Sequence, residues 1–581
     1  MTDKDENTLS TDPQEFINYV NRETGKVLEM FSATGGDDIL RQFTQSWTEL
    51  ATRSLEDPTV WIRAIADYQQ AQFNLWRNLL SGKTSEEPIA EPSPGDRRFK
   101  AEEWSKNPVF DYIKQSYLLT SQMLTEMAHN AKLSPAEQQK LEFYTRQYVD
   151  ALSPTNFALT NPEVLQQALE TKGASLVEGL KNLLSDIDKG RISMTDESAF
   201  ELGTNLATTE GAVVFQNHIF QLIHYKPLTE QTFERPTLIV PPSINKYYIL
   251  DLQPDNSFVR YALEQGQDVY LISWNNPSSE ERDLSWDDYV GDGVIKAIEI
   301  TKRISGQDRL NAVSWCVGGT LMASALAVLA NRKDNSVSSC TFLTTLLDFS
   351  DPGDLCVYID QHQVKHLESK VNNEGILHGR ELATSFNMLR SNDLIWSYVV
   401  NNYLKGQTPP PFDILYWNSD PTNLPAEFYT YYINRMYLEN KLVQPDALTM
   451  CGEPIDLRRI KTPCYFLSTM EDHIAPWKGT FKALDLFANV EFVLGASGHV
   501  AGVINPAKKN RRNYWIKGEM GKGPEAWLES AERHEGSWWG HWSDWLRRRA
   551  GKKVDAPSEY GTQEFPVLEA APGSYVRKRL D

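Results

Sequence analysis

The stretch "LNAVSWCVGGTLMASALAVLA", residues 310–330, decides how the rest of the chain is read. It opens on a short β-rich run, passes through small residues and closes on an apolar helical run. Cys316 stands at the turn between them. A nucleophile on a strand-to-helix elbow takes a strained backbone conformation, and bulky neighbours two residues away would clash. Gly318 meets that requirement after the cysteine. Ser314 meets it before, where Gly is usual. Backbone N–H groups at the helix start can bind an oxyanion and lower a thiol pKa. The motif alone leaves open the blander reading of a buried structural cysteine.

Working outward, short apolar runs alternate with helical stretches from about residue 191: "PTLIVPP", "DVYLISW", "LNAVSW", "SSCTFLTTLLD", "CYFLST" and "EFVLGAS". Strands separated by helices predict a mostly parallel sheet covered on both faces, with its chemistry at the carboxyl ends of the strands. Two loops fall at such ends. Asp472 and His473 follow "CYFLST", and His499 follows "EFVLGAS". Nucleophile, acid and histidine in that chain order give an α/β-hydrolase arrangement, in which His499 takes the thiol proton and Asp472 fixes the imidazole tautomer. His473 is a second candidate, better suited to a supporting role than to that of base.

The predicted fold is therefore an α/β-hydrolase domain over residues 191–581, with a cap or lid insertion at about 350–440, where the alternation gives way to aromatic, irregular sequence. Residues 1–190 predict an all-helical domain. In "LEDPTVWIRAIADYQQAQFNLWRNLLSGK", Asp57 caps, Pro58 starts the helix, Trp61, Ile65, Tyr68, Leu75 and Leu79 share a face, and Gly82 ends it.

Composition narrows the function. The chain has 581 residues and a net charge of −20, which argues against a nucleic-acid partner. No apolar run reaches the roughly 18 residues needed to span a bilayer. The acidic, polar start "MTDKDENTLSTDPQEF" has no apolar run behind a basic end, so no secretory signal is expected. Five cysteines without a CxxC pair suit free thiols in a reducing cytoplasm. His362 and His366 lie four apart, but without an HExxH glutamate or a third ligand no metal site is expected. "GEMGKG" lacks a P-loop ending and reads as a surface loop, and "LRRRAGKKV" as a solvated basic face.

Long ordered segments then resemble one family. "VPPSINKYYILDLQPDNSFVRYALEQGQDVYLISW", "LTTLLDFSDPGDL", "NDLIWSYVVNNYLKG", "FDILYWNSDPTNLP", "EDHIAPW", "LGASGHVAGVINP" and "GSWWGHWSDWL" are similar to the polyhydroxyalkanoate synthases, most closely the class I type. "GDRRFKAEEWSKNPVFDYIKQSYLLTSQ" extends the resemblance into the amino-terminal half, and it is weakest in the first ninety residues or so. The resemblance implies Cys316 as nucleophile, His499 as base and Asp472 as its acidic partner. The N–H of Val317 would be one oxyanion donor, with a second near Ser243 or Ile244. It implies polymerisation of (R)-3-hydroxyacyl-CoA, 3-hydroxybutyryl-CoA being the expected substrate, into a polyester with release of CoA. Coenzyme A is then a leaving group, and no cofactor is expected. The growing polyester chain, a cytoplasmic granule surface and a second copy in a homodimer are the implied partners.

A thiol suits that reaction. Transfer from CoA to cysteine exchanges one thioester for another at nearly equal energy, whereas a serine ester would sit in a deeper well. Two alternatives remain at this stage. One is a cysteine thioesterase or esterase using the same three residues on water; the other is a non-catalytic granule- or acyl-CoA-binding subunit.

Overall fold

The computed structural model describes residues 44, 46–48, 59–81, 88–131 and 133–580. Asp57, Pro58 and Gly82 lie outside the described residues, as does the side chain of Trp61. The chain forms two compact units: the described residues up to Asp196 with Asn387–Pro410, and Glu197–Phe386 with the residues from Pro411 onward.

The first unit is helical. Its longer helices are Thr59–Leu80, Pro108–His129, Pro135–Ala151, Pro162–Glu170 and Ala174–Lys189. Three of them begin on the same local signal, an Asn or Ser cap followed by proline. Asn107 accepts from the Val109 N–H, Asn161 from Glu163, and Ser134 closes a capping box with Glu137. Proline costs nothing at a first helical position, where its missing N–H would find no partner anyway. Tyr68 and Gln72 bond Thr120 and Ser116 on the neighbouring helix, and Leu75 is buried. Ile65, at the margin of that face, is 41% exposed.

The second unit is built on an eleven-stranded sheet. In chain order its strands are β1 (Gly211–Gln216), β2 (Phe220–Tyr225), β3 (Thr237–Val240), β4 (Val269–Trp274), β5 (Leu310–Trp315), β6 (Val337–Leu343), β7 (Cys464–Thr469), β8 (Val490–Gly495), β9 (Asn513–Ile516), β10 (Glu532–Glu535) and β11 (Glu569–Ala570). Across the sheet they run β10-β9-β8-β7-β6-β5-β3-β4-β2-β1-β11. The six runs read from sequence are β3 to β8, and they pair in parallel. Antiparallel strands extend both ends.

Successive strand residues point to opposite faces, and both faces are buried. Leu238, Ala312, Phe342 and Phe466 join one core cluster with the Val317–Asn331 helix. Their chain neighbours Ile239, Val313, Leu343 and Leu467 join the other, with Trp538, Trp539 and Trp542. Strand order reverses between β3 and β5, so the loops leaving those two strands part and open a crevice at the sheet's carboxyl edge.

The stretch at 350–440, inserted between β6 and β7, is helical rather than irregular. It holds helices Gln361–Glu374, Gly379–Leu389, Asp413–Asn418 and Ala426–Tyr431, with π-helical turns at Asn392–Trp396, Val399–Leu404 and Tyr432–Leu438. A π turn has a wider period than an α turn, which blurs the apolar spacing by which a helix is read. No described helix is long and apolar enough to cross a membrane.

Candidate functional site

The elbow follows from its residues. Cys316 takes φ 51° and ψ −126° between β5 and the Val317–Asn331 helix. A left-handed φ is strained for any residue with a Cβ and persists only where neighbours enforce it. Here the Cys316 N–H donates to the Leu343 carbonyl at 3.0 Å, and the N–H groups of Gly319 and Thr320 turn back on the Cys316 carbonyl at 2.8 and 3.2 Å. A Cβ on Gly318 would stand 2.4 Å from the Pro241 carbonyl oxygen and 2.6 Å from that of Val240. Only glycine lets the helix start this close to the end of β3. Ser314 is buried, and its hydroxyl donates to the Thr341 carbonyl at 3.0 Å.

His499 reaches Cys316 from the loop after β8, and Asp472 lies on the loop after β7. The His499 Nδ1 and Asp472 Oδ2 are 2.7 Å apart, with both side chains almost wholly buried. Asp472 Oδ1 accepts the N–H groups of Ile474 at 2.9 Å and Ala475 at 2.8 Å, which fixes the carboxylate's rotation. Burial favours the neutral ring. The Asp472 carboxylate and the Cys316 sulfur, each by charge and hydrogen bond, outweigh it and push His499 up to about 10. Trp315 stands 6.3 Å from the imidazole, centroid to centroid.

The tryptophan-rich segment 536–546 supports the histidine loop. Trp538 Nε1 donates to the Gly502 carbonyl at 3.0 Å, Trp539 Nε1 to that of Val503 at 2.9 Å, and the Ser537 hydroxyl to that of Asn505. Packing and orientation are therefore one role for these rings.

The other sequence-derived candidates fall as follows. Val317 is the buried first residue of the helix, and its N–H is the helix's first donor. Ile244 sits on the loop after β3, its carbonyl accepting from the Thr422 N–H at 3.0 Å. The Ser243 hydroxyl beside it is buried with no hydrogen-bond partner among the described residues. His473 is next in the chain to Asp472, but the ring that meets both Asp472 and Cys316 is that of His499. His362 and His366 share the Gln361–Glu374 helix.

Two residues at the site escape sequence reading. Tyr432 and Tyr437 both lie within electrostatic reach of Cys316, and with burial the largest cause their hydroxyls are held well above the usual tyrosine range. They are five apart, a spacing that an α-helix spreads across its surface and that the π-helical Tyr432–Leu438 turn brings together, ring centroids 5.2 Å apart. Their only signal in the sequence is the aromatic density of the cap.

Strand order, elbow and the loops after β7 and β8 define an α/β-hydrolase fold with a cysteine at the strand-to-helix elbow, and residues 236–506 match the family described as alpha/beta hydrolase fold. Residues 95–262 match a second family, described as poly-beta-hydroxybutyrate polymerase (PhaC) N-terminus. The chain is 47% identical to the poly(3-hydroxyalkanoate) polymerase subunit PhaC of Cupriavidus necator over 89% of its own length and 88% of that protein's. It is 40% identical to the subunit of the same name from Rhizobium meliloti, over 96% of this chain and 91% of that one. It is 41% identical to the poly(3-hydroxyalkanoate) polymerase of Methylorubrum extorquens, over 96% and 93%. The chain belongs to the poly(3-hydroxyalkanoate) polymerase family, a family of acyltransferases.

Proposed function

We propose that this enzyme polymerises (R)-3-hydroxyacyl units, 3-hydroxybutyryl-CoA being the expected donor, through an acyl thioester on Cys316. The observation that carries the reading is the single imidazole, His499, meeting both the Cys316 sulfur and the Asp472 carboxylate in a chain of the polymerase family. His499 takes the thiol proton, and the thiolate attacks the acyl-CoA carbonyl. The Val317 N–H, with that of Ile244 on the facing loop, receives the developing oxyanion. The intermediate collapses with loss of the CoA thiolate, which takes the proton from the imidazolium. In the second half, His499 removes the proton from the hydroxyl of another hydroxyacyl unit or of the growing chain. That oxygen attacks the Cys316 thioester, the acyl C–S bond breaks, the sulfur leaves as a thiolate and recovers the proton from the His499 imidazolium, and the polyester lengthens by one ester bond.

Water competes with the hydroxyl in that second step. Tyr432 and Tyr437 support an acceptor other than water, since they place a buried aromatic pair within electrostatic reach of Cys316. A cytoplasmic granule surface and a homodimer complete the proposal. The test is incubation of the pure protein with (R)-3-hydroxybutyryl-CoA. Insoluble polyester with stoichiometric CoA release supports the synthase; free 3-hydroxybutyrate as the only acyl product would replace it with a thioesterase.

A further inference from the structure

Beyond the three reacting side chains, the loop that leaves β3 (residues 241–246) is fastened along its whole length. Trp274 Nε1 donates to the Pro241 carbonyl at 2.8 Å, the Thr422 N–H to that of Ile244 at 3.0 Å, and Trp417 Nε1 to that of Lys246 at 2.6 Å. The Thr422–Ile244 bond belongs to an isolated antiparallel bridge that pairs Asn245 with Pro421. The fourth tie is a side chain. Lys246 is 3% exposed, and its Nζ donates to the carbonyl of Lys578 at 2.7 Å.

That carbonyl gathers a second donor, Asn276 Nδ2 at 3.2 Å from the loop after β4, and Asn276 Oδ1 accepts the Asn423 N–H at 3.0 Å. The segment around Lys578 is held down on either side. Tyr575 donates to the Asn217 carbonyl at 2.6 Å, Arg579 lies over the Tyr416 ring at 4.8 Å and donates to its hydroxyl at 2.7 Å, and Arg380 donates to the Leu580 carbonyl at 3.4 Å. Residues 575–580 thus run as a strap under three loops at the sheet's carboxyl edge.

A buried ammonium is an expensive way to tie a loop to a carbonyl. Burial pulls Lys246 down to about 8, with Asp420 opposing and Lys578 and Arg579 adding to the fall. A methionine would fill the same stem without that cost, and a local rule broken in this way points to a functional or a strained position.

We propose that Lys246 is a positioning residue for the oxyanion side of the Cys316 site, tying the Ser243–Ile244 loop to the 575–580 strap. This rests on the reading of Ile244 as an oxyanion donor in acyl transfer. An oxyanion donor works only when held to within about half an ångström, so a tie two residues along the loop acts on the rate of acylation rather than on binding of the acyl-CoA.

The test compares two reactions of Cys316 in the full-length enzyme and its variants Lys246→Met and Lys246→Arg. Single-turnover CoA release from (R)-3-hydroxybutyryl-CoA develops an oxyanion; alkylation by iodoacetamide does not. Lys246→Met is expected to slow acylation roughly 10- to 100-fold at saturating substrate, while alkylation stays within about twofold and Lys246→Arg recovers most of the loss. Asn276→Ala, which removes the second donor to the same carbonyl, is expected to shift acylation in the same sense by a smaller factor, and serves if Lys246→Met does not fold. Acylation unchanged in both, or alkylation falling in step with acylation, overturns the inference. A wild-type enzyme that releases no CoA at all overturns the functional reading and this inference with it; an acylated wild type with an unaltered Lys246→Met rate overturns this inference alone.

Discussion

Replacing Asp472 by asparagine is the smallest change that probes the site, because the structure dictates which way the amide must face. Oδ1 of Asp472 accepts two backbone N–H groups, and Oδ2 faces His499 Nδ1 at 2.7 Å. An asparagine has to put its oxygen where the two N–H donors converge, since an NH2 there would leave both unpaired against a third donor. Its NH2 then donates to Nδ1, the ring proton moves to Nε2, and the nitrogen that takes the thiol proton is blocked. The rise of His499 from 6.5 to about 10 is a net of about 5 kcal/mol in favour of the imidazolium, left after burial has opposed it, with Asp472 and Cys316 supplying the favourable part. Loss of the carboxylate's share together with the wrong tautomer predicts first-turnover acylation slower by roughly 10³- to 10⁴-fold, the thiol's own nucleophilicity setting the floor. Quench-flow measurement of CoA release from hydroxyacyl-CoA reads this directly, and ring-nitrogen NMR of His499 reads the tautomer. An Asp472→Asn enzyme acylated within about tenfold of wild type would refute the assignment of His499 as the proton acceptor.

Three further outcomes follow from the same geometry. The folded-state His499 lies above its unfolded value, so the stability it contributes is fully present below about pH 6.5, declines above it, and is gone once the pH passes about 10. Denaturant unfolding should therefore show a steeper loss from neutral pH to about 10.5 in wild type than in His499→Gln, and equal slopes would contradict the ion pairing. Gly318→Ala forces a methyl into the backbone carbonyls of Val240 and Pro241, neither of which can yield, and is expected to cost more than about 3 kcal/mol in equilibrium unfolding or to prevent folding. Ser314→Gly removes the bond to the Thr341 carbonyl and loosens a central strand, so it should cost about 1–2 kcal/mol while leaving turnover within a small factor, which parallel melting and CoA-release assays would check.

What the sequence discloses, and what it hides, divides along physical lines. β3 to β7 are buried on both faces almost throughout, and β8 over its last four residues, so they read as short, mostly apolar runs, and Cys316, Asp472 and His499 are found by counting to their ends. The elbow is legible because its steric demand falls on one residue, Gly318. β1 and β2 are as apolar as the others but are joined through Asn217, His218 and Ile219, with no glycine to announce a hairpin. β10, "ERHE", is an edge strand whose polar residues carry no alternation at all. Tyr432 and Tyr437 meet only because a π turn replaces an α turn, and Lys246 meets Lys578 across 332 residues of chain. Neither contact leaves a periodic trace in the sequence. The role of the 536–546 tryptophans in holding the His499 loop is likewise invisible until Gly502 and Val503 are seen to accept from them.

In the proposed mechanism the acyl group passes through the sulfur of Cys316. Brief exposure of the enzyme to radiolabelled (R)-3-hydroxybutyryl-CoA, acid quenching, proteolysis and mapping of the labelled peptide measure it with the fewest intermediates. Label is expected on the peptide containing Cys316, discharged by hydroxylamine as a thioester should be, and none in Cys316→Ala. Label on another residue, or CoA release that persists unchanged in Cys316→Ala, would contradict it.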